Sequence, residues 1–516
     1  MLARYRQGID AGWLLPLILL VALGLRLWGL DFGLPYLYHP DEPLLMEVSQ
    51  HIVQTGDLNP HYFGYPSLFF YINALVMLPF YLGGMLLGLL RSSAGVAYPV
   101  WYTLGVGYTD AQWSFLLVRL VTVLFGLGTV ALAYKVAADL VGSRLAGWLA
   151  ALFTAVSSAN IINSRYVTPN VQMTFFLLLA FWYSLRILKE GATRHYLLAG
   201  IAVGLVASSK YNGAVIVLVL LAAHLFRHGM RGLLDRRIYF SFLAAGSTFL
   251  LTSPFSIFDS TTFLDQMSHE AQHYSSGHLG MDGNTLSWYL GYLWSVEGPV
   301  TLLAVLEIFR ALVIRSRPLL LLSIFPVIYF IFISTFAVRN DRTVLPLIPL
   351  LFILGASFLV STVRFAATLS VPGRRLLTYG VAAVTLVALL VPSVQSVSNT
   401  SANISGVRSR EQARMWIEGN VPPGSQIAVE TYGPYIDPQK YSVDIVSLMV
   451  DHTADWYKSH GYSYLVFSSG MYGRFYGEPE RYAADVANYE KLFGSFQLVE
   501  RIPDARYEMR VYKVDR

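Results

Sequence analysis

The chain has 516 residues, 55% hydrophobic and only 13% charged, with a formal net charge of +5. Soluble domains carry about 25% charged residues, so this composition excludes a soluble globular protein and points to a polytopic α-helical membrane protein. The cations sit in short loops between apolar runs, the pattern of membrane topology and not of a nucleic-acid groove, and the absence of cysteine removes disulfides and thiolate chemistry.

Crossing a bilayer takes ~20 apolar residues. Runs of about that size lie near 13–30, 67–90, 114–134, 146–162, 171–188, 197–210, 212–226, 238–256, 285–309, 318–336, 343–362 and 376–396. The first follows Arg4 and Arg6 but lacks a small-residue cleavage site, so it reads as a retained span. Basic loops at 135–144, 186–194, 227–237, 310–317 and 364–375 mark the cytoplasmic side. With the N-terminus also inside, 67–90 and 114–134 cannot both cross. Pro79, Gly83 and Gly84 interrupt 67–90, which is therefore expected as interfacial or re-entrant helices in the first outer loop, where protein covers the irregular backbone. About eleven transmembrane helices remain, in a membrane domain over residues 1–400. Their outer-face loops are 31–113, 164–170, 209–212, 257–284 and 337–342, and they hold nearly all the unusual polar residues.

The tail, 405–516, reads as a small extracytoplasmic α/β domain. Helices are expected at 408–418 and 480–492, and strands at 426–430, 464–467 and 510–514. Asn399 and Asn403 begin Asn-X-Ser triplets, a weak glycosylation pattern.

Chemistry concentrates after the first span, in His39-Pro40-Asp41-Glu42-Pro43. A hydroxyl becomes a competent nucleophile when a base takes its proton during attack, and a carboxylate at the membrane surface suits that work. Asp41 is the candidate base, and Glu42 the residue that orients the acceptor or holds its neighbour. The competing structural role is a helix N-cap, since acids favour helix starts. Cations come next: Arg119, Arg165, Lys210, Arg339 and Arg342 all fall on the outer face. An isolated cation at membrane depth costs ~2.5–3.5 kcal/mol, so several on one leaflet suggest an anion, here a lipid phosphate. Snorkelling or pairing with acids such as Asp341 is the plainer alternative, and Lys210, which interrupts an apolar hairpin, is the strongest phosphate ligand. His273 and His278 could hold a metal with a carboxylate, but their spacing of five fits no helical face. A glycine-containing loop touching sugar or phosphate accounts for them better, and no metal is assigned.

The stretch from Trp28 through His39-Pro40-Asp41-Glu42-Pro43, then 55–61 ending at His61, then Tyr65-Pro66-Ser67, resembles the first outer loop of the protein O-mannosyltransferase-like superfamily. That superfamily includes the lipid A aminoarabinose transferases. The resemblance covers roughly residues 10–360 and includes the turn from Ser164-Arg165-Tyr166 to Asn170. It implies a C-type glycosyltransferase (GT-C) fold, an inverting transfer from a polyprenyl- or dolichyl-phosphate-linked sugar to a hydroxyl acceptor, and a site on the outer face of the cell membrane. Asp41 is then the base assisted by Glu42, with Lys210, Arg165 and Arg119 on the phosphate and His273 and Tyr274 at donor or acceptor. No cofactor beyond the lipid-linked donor is required. Many relatives carry Asp where this chain has Asn170, which supplies no charge. Rival readings are a flippase for a lipid-linked glycan, a glycan ligase of the same fold, and an inactive binding member.

Overall fold

The computed structural model describes residues 12–88, 101–103, 106–281, 283–504 and 507–515. Arg4 and Arg6, on which the orientation of the first span rests, lie outside them, as do the last two residues of 67–90. The first apolar run forms α1 (Leu14–Leu27). Helix α2 (Glu42–Thr55) opens with Pro43, where a missing N–H costs nothing, and stops at Gly56 in the left-handed conformation. Its apolar face, Leu45, Met46, Val48 and Ile52, packs on Phe69, Phe70, Ala74 and Met77 of α3 (Leu68–Leu86).

Helix α3 corrects one expectation. It is a single helix with Pro79 inside it, not a broken pair, because packing on α2 outweighs the one backbone bond that proline removes. It is also long and apolar enough to cross a membrane. Farther on, the chain is again beside the first loop: the Leu37 N–H donates to the Gly107 carbonyl at 2.9 Å and the Thr109 N–H to that of Pro35 at 3.0 Å. Residues 106–109 therefore lie on the side from which α3 departs.

Helices α4 (Gln112–Val141), α5 (Arg144–Val156), α6 (Ser158–Asn163), α7 (Asn170–Lys189), α8 (Thr193–Ser209), α9 (Val217–His228) and α10 (Arg236–Thr252) build the next layer. Helix α7 packs on α4, α8 and α9, and α8 on α10. Glycine makes the last contact close: a Cβ on Gly200 would stand 2.2 Å from the Ser241 carbonyl oxygen, and one on Gly204 2.6 Å from that of Ala245.

After α11 (Phe255–Phe258), the expected outer loop is largely a 17-residue helix, α12 (Ser260–Ser276). The expected span 285–309 is likewise two helices, α13 (Thr285–Glu297) and α14 (Val300–Ile314). The chain breaks at Gly298, in the left-handed region, and Pro299. Then come α15 (Arg317–Ser334), α16 (Ile348–Ala366) and α17 (Val371–Asn420). Helix α16, entered by a 3₁₀ turn at Asp341–Leu347, is buried along nearly its whole length and forms the axis of the main core.

Among the described residues seven helices are long and apolar enough to cross a membrane, against about eleven expected. Helices α8 and α10, at 17 residues, stand at the lower edge of the spanning range of ~17–25, and α1, α5, α13 and α14 are shorter. The architecture is a multi-pass helical bundle carrying a small sheet domain.

That domain grows directly out of α17, which runs for 50 residues through the boundary expected near 400–405. Strands β1 (Trp101–Thr103) and β2 (Val106–Tyr108) pair antiparallel in the first loop. In the tail β3 (Gln426–Glu430), β4 (Ser442–Val446), β5 (Tyr464–Ser468), β6 (Gln497–Ile502) and β7 (Met509–Lys513) form one sheet in the order β4-β3-β5-β7-β6. Strands β4, β3 and β5 are parallel, β7 runs antiparallel to β5, and β6 runs antiparallel to β7. Ile417 of α17 and Val421 just after it pack on one face with Ile427, Val429 and Val466. The other face is covered by α18 (Ala454–Ser459), α19 (Tyr472–Tyr476) and α20 (Ala483–Ser495) through Tyr457, Tyr472, Tyr489 and Leu492.

Candidate active site

The acid pair comes apart at the first residue of α2. Glu42 points inward and is fully buried, where its carboxylate receives two parallel bonds from Arg119: Nε to Oε1 at 3.0 Å and Nη2 to Oε2 at 2.6 Å. The Val167 N–H donates to the same Oε1 at 2.8 Å. Burial alone would raise this carboxyl's pKa, but the charge and hydrogen bonds of Arg119 overcome it and hold the group below its ordinary value. Arg119 spends its Nη1 on the Leu30 and Phe32 carbonyls at 2.7 and 2.9 Å. The guanidinium thus ties the first loop, α2, α4 and the 165–170 turn together.

Asp41 stands one residue earlier, at the N-cap of α2, yet its side chain caps nothing. It reaches across to Arg342 in the turn before α16, and both side chains are partly open, at 28% and 21%. The Arg342 Nε is in turn held by Asn340 Oδ1 at 3.1 Å. The Asp41 backbone N–H donates to His39 Nδ1 at 3.2 Å, and the His39 ring lies 4.3 Å from that of Tyr166. Loss of hydration is the main reason the His39 pKa falls, to about 3; Glu42 opposes that fall, and Arg342 and Arg119 add to it.

Lys210 occupies a second pocket of the same side. It interrupts the chain between α8 and α9, its Nζ donates to Asn170 Oδ1 at 2.9 Å, and it lies 5.6 Å from the Tyr65 ring centre. A cavity of about 470 Å³ opens here, walled by Tyr62 and Tyr65 of the first loop, Tyr211 and Asn212 after the lysine, Met267, Glu270 and Tyr274 of α12, and Phe332 and Phe336. The first loop is stitched to α12 by Asn59 Nδ2 to Asp259 at 3.0 Å and the Phe63 N–H to Gln266 Oε1 at 2.6 Å.

Two routes lead from the cavity towards the neighbours of Asp41 and Arg342. One is the 165–170 turn, with Val167 on Glu42 and Asn170 on Lys210. The other runs from Asn212 Nδ2 to the Tyr329 hydroxyl at 2.9 Å, and from that hydroxyl to the Thr343 carbonyl at 3.2 Å, next to Arg342.

The remaining expected residues lie elsewhere. Arg165 is buried, donating to the Thr400 hydroxyl at 2.9 Å and the Leu25 carbonyl at 2.5 Å. Arg339 bonds the Met281 carbonyl at 2.8 Å and Glu478 of the tail domain at 2.9 Å. His61 is exposed beside Asp57 at 3.0 Å. The His273 and His278 rings meet edge to face at 4.7 Å and do not line the cavity, whereas Tyr274 does. Sequence reasoning overlooked Met267, Glu270, Ala271 and Tyr274 as a set. Their spacing of i, i+3, i+4 and i+7 is the signature of one helical face, and that face is the cavity wall.

Residues 67–268 match the family described as dolichyl-phosphate-mannose-protein mannosyltransferase. No curated protein sequence matches the chain. Among solved structures the chain is similar to ArnT from Cupriavidus metallidurans bound to undecaprenyl phosphate, at 17% identity and a TM-score of 0.52, over 97% of this chain and 98% of that one. It is also similar to the archaeal oligosaccharyltransferase AglB from Archaeoglobus fulgidus in complex with an inhibitory peptide and a dolichol-phosphate, at 11% identity and a TM-score of 0.58, over 93% of this chain and 72% of that one. At such identities the likeness establishes the fold. The chain thus has the C-type glycosyltransferase fold along nearly its whole length, and within it residues 67–268 match the mannosyltransferase family.

Proposed function

We propose that the protein transfers a glycosyl group from a polyprenyl-phosphate-linked donor to a hydroxyl acceptor, with inversion, on the extracytoplasmic side of the cell membrane. The observation that carries this reading is Lys210: a lysine buried in an aromatic-walled cavity and anchored by the neutral Asn170, from which one path leads to Glu42, next to Asp41, and another to Thr343, next to the Asp41 partner Arg342. A cation so placed fits a phosphate, and the tyrosine and phenylalanine walls fit a sugar ring or the first prenyl units. The bound lipid phosphates named for ArnT and AglB support the same donor class.

The chemistry needs few groups. As the acceptor oxygen bonds to the anomeric carbon, its proton passes to Asp41 and the bond from that carbon to the phosphate oxygen breaks. The phosphate leaves as an anion without a general acid, stabilised by Lys210. Arg342 aims Asp41. In this reading Glu42 and Arg119 are positioning residues that fix the backbone presenting Asp41.

The test is reconstitution with a set of polyprenyl-phosphate sugars and measurement of released polyprenyl phosphate. Release that depends on an added hydroxyl acceptor supports the reading. Movement of the intact donor between leaflets with no release overturns it in favour of a flippase.

A further inference from the structure

The bundle carries a second polar cavity at the end opposite Lys210. Three elements define the two ends. Helix α7 runs from Asn170 to Lys189, the chain after Lys210 runs to His228 at the end of α9, and α15 runs from Arg317 towards Phe332. The 20 residues of α7 span about 30 Å, the thickness of a bilayer's hydrocarbon layer. At the far end Leu188, Lys189, Arg227, His228, Arg317 and Pro318 line a cavity of about 470 Å³.

Its charge is one-sided. Among the described residues, three cations and a histidine line it and no carboxylate does. The nearby acids have partners outside the cavity, Glu190 with Arg186 and His195, Asp139 with Lys135 and the Trp182 N–H, and Asp235 with Arg237, while Lys189 Nζ donates to the Asp139 carbonyl and feels both Asp139 and Glu190. The adjoining cavity, which shares Pro318, differs. There Arg310 is neutralised by both oxygens of Glu307, at 2.6 and 2.7 Å. In the basic cavity Arg227 is steadied by the Leu188 carbonyl at 3.0 Å, and the His228 Nε2 is buried with no hydrogen-bond partner among the described residues. A multidentate anion would satisfy that nitrogen and the excess charge together. Leu188 and Pro318 beside the cations, at the ends of membrane helices, suit a headgroup with acyl chains attached.

We propose that this cavity binds the phosphate headgroup of an anionic membrane phospholipid, and in doing so ties together the ends of three elements whose opposite ends frame the Lys210 cavity. Binding does not depend on the glycosyltransfer reading. The experiment is native mass spectrometry of the full chain released from nanodiscs of equimolar phosphatidylglycerol and phosphatidylcholine. The wild type should retain phosphatidylglycerol preferentially. Arg227→Ala and Arg317→Ala should each weaken that preference about fivefold, the size expected for one juxtamembrane cation, and the double variant should abolish it. Arg227→Lys with Arg317→Lys keeps the charge and should keep most of the preference, which separates lost binding from lost folding. Lys210→Ala should leave retention unchanged, so this site and the donor site fail independently. Equal retention of both lipids by the wild type, or an unchanged preference in the double alanine variant, would overturn the proposal. Displacement of phosphatidylglycerol by inorganic phosphate alone would overturn the lipid assignment in favour of a free anion.

Discussion

Glu42 and Asp41 are neighbours in sequence and opposites in environment. The Glu42–Arg119 pair is sealed, with every carboxylate oxygen bonded and the arginine also holding two carbonyls. The side chains of the Asp41–Arg342 pair stand partly open. A sealed pair is a fastener, since its charges have no room for a substrate. An open one can exchange partners, as a base must. One turn of backbone thus assigns structure to one acid and leaves the other available for chemistry.

The contrast breaks most visibly at Glu42. Glu42→Ala strands a buried guanidinium and should cost about 3–5 kcal/mol, read as a large drop in thermal stability in detergent. Glu42→Met with Arg119→Met should cost less than the sum of the single changes. Asp41→Asn should lower glycosyl transfer by about 10²–10⁴-fold, the usual worth of a general base. Its melting temperature should stay near that of the wild type, because a partly exposed pair contributes about 1 kcal/mol or less. Lys210→Ala should weaken donor binding, measured by titration with polyprenyl phosphate, by about 10–100-fold. That follows from losing a charged hydrogen bond of ~1.5–3 kcal/mol.

The smallest effect concerns pH. The His39 pKa is lowered from 6.5 to about 3, so the unfolded chain takes up this proton first. The stability this neutral histidine contributes is full above pH 6.5 and falls as the pH drops towards 3. Thermal melts should therefore be flat from pH 7 to 8 and decline near pH 5, and His39→Gln should reduce that decline.

Much of this was legible in the sequence. The acid pair, the lysine that breaks an apolar hairpin and strand β3 at 426–430 follow from local pattern alone. What the local pattern did not contain was which cation meets which acid. Arg119 lies 77 residues from Glu42, and their pairing is decided by how α2, α4 and the 165–170 turn pack. Arg26 teaches the same lesson: it sits in an ordinary apolar run, yet it is fully buried and bonds Asn160 Oδ1 at 2.6 Å and the carbonyls of Thr154 and Ala155. Helix α12 escaped notice because its polar residues outnumber its apolar ones, and only the cavity reveals which face matters. Strand β4 was missed because it is five residues long and buries none of them fully, and β6 because its exposure does not alternate and its register carries an irregularity.

The most direct test is a structure of the protein with polyprenyl phosphate bound. The phosphate should sit within hydrogen-bonding distance of the Lys210 ammonium, in the aromatic cavity on the Asp41 side of the bundle. A phosphate bound away from Lys210, or at the opposite end of α7, would contradict the account.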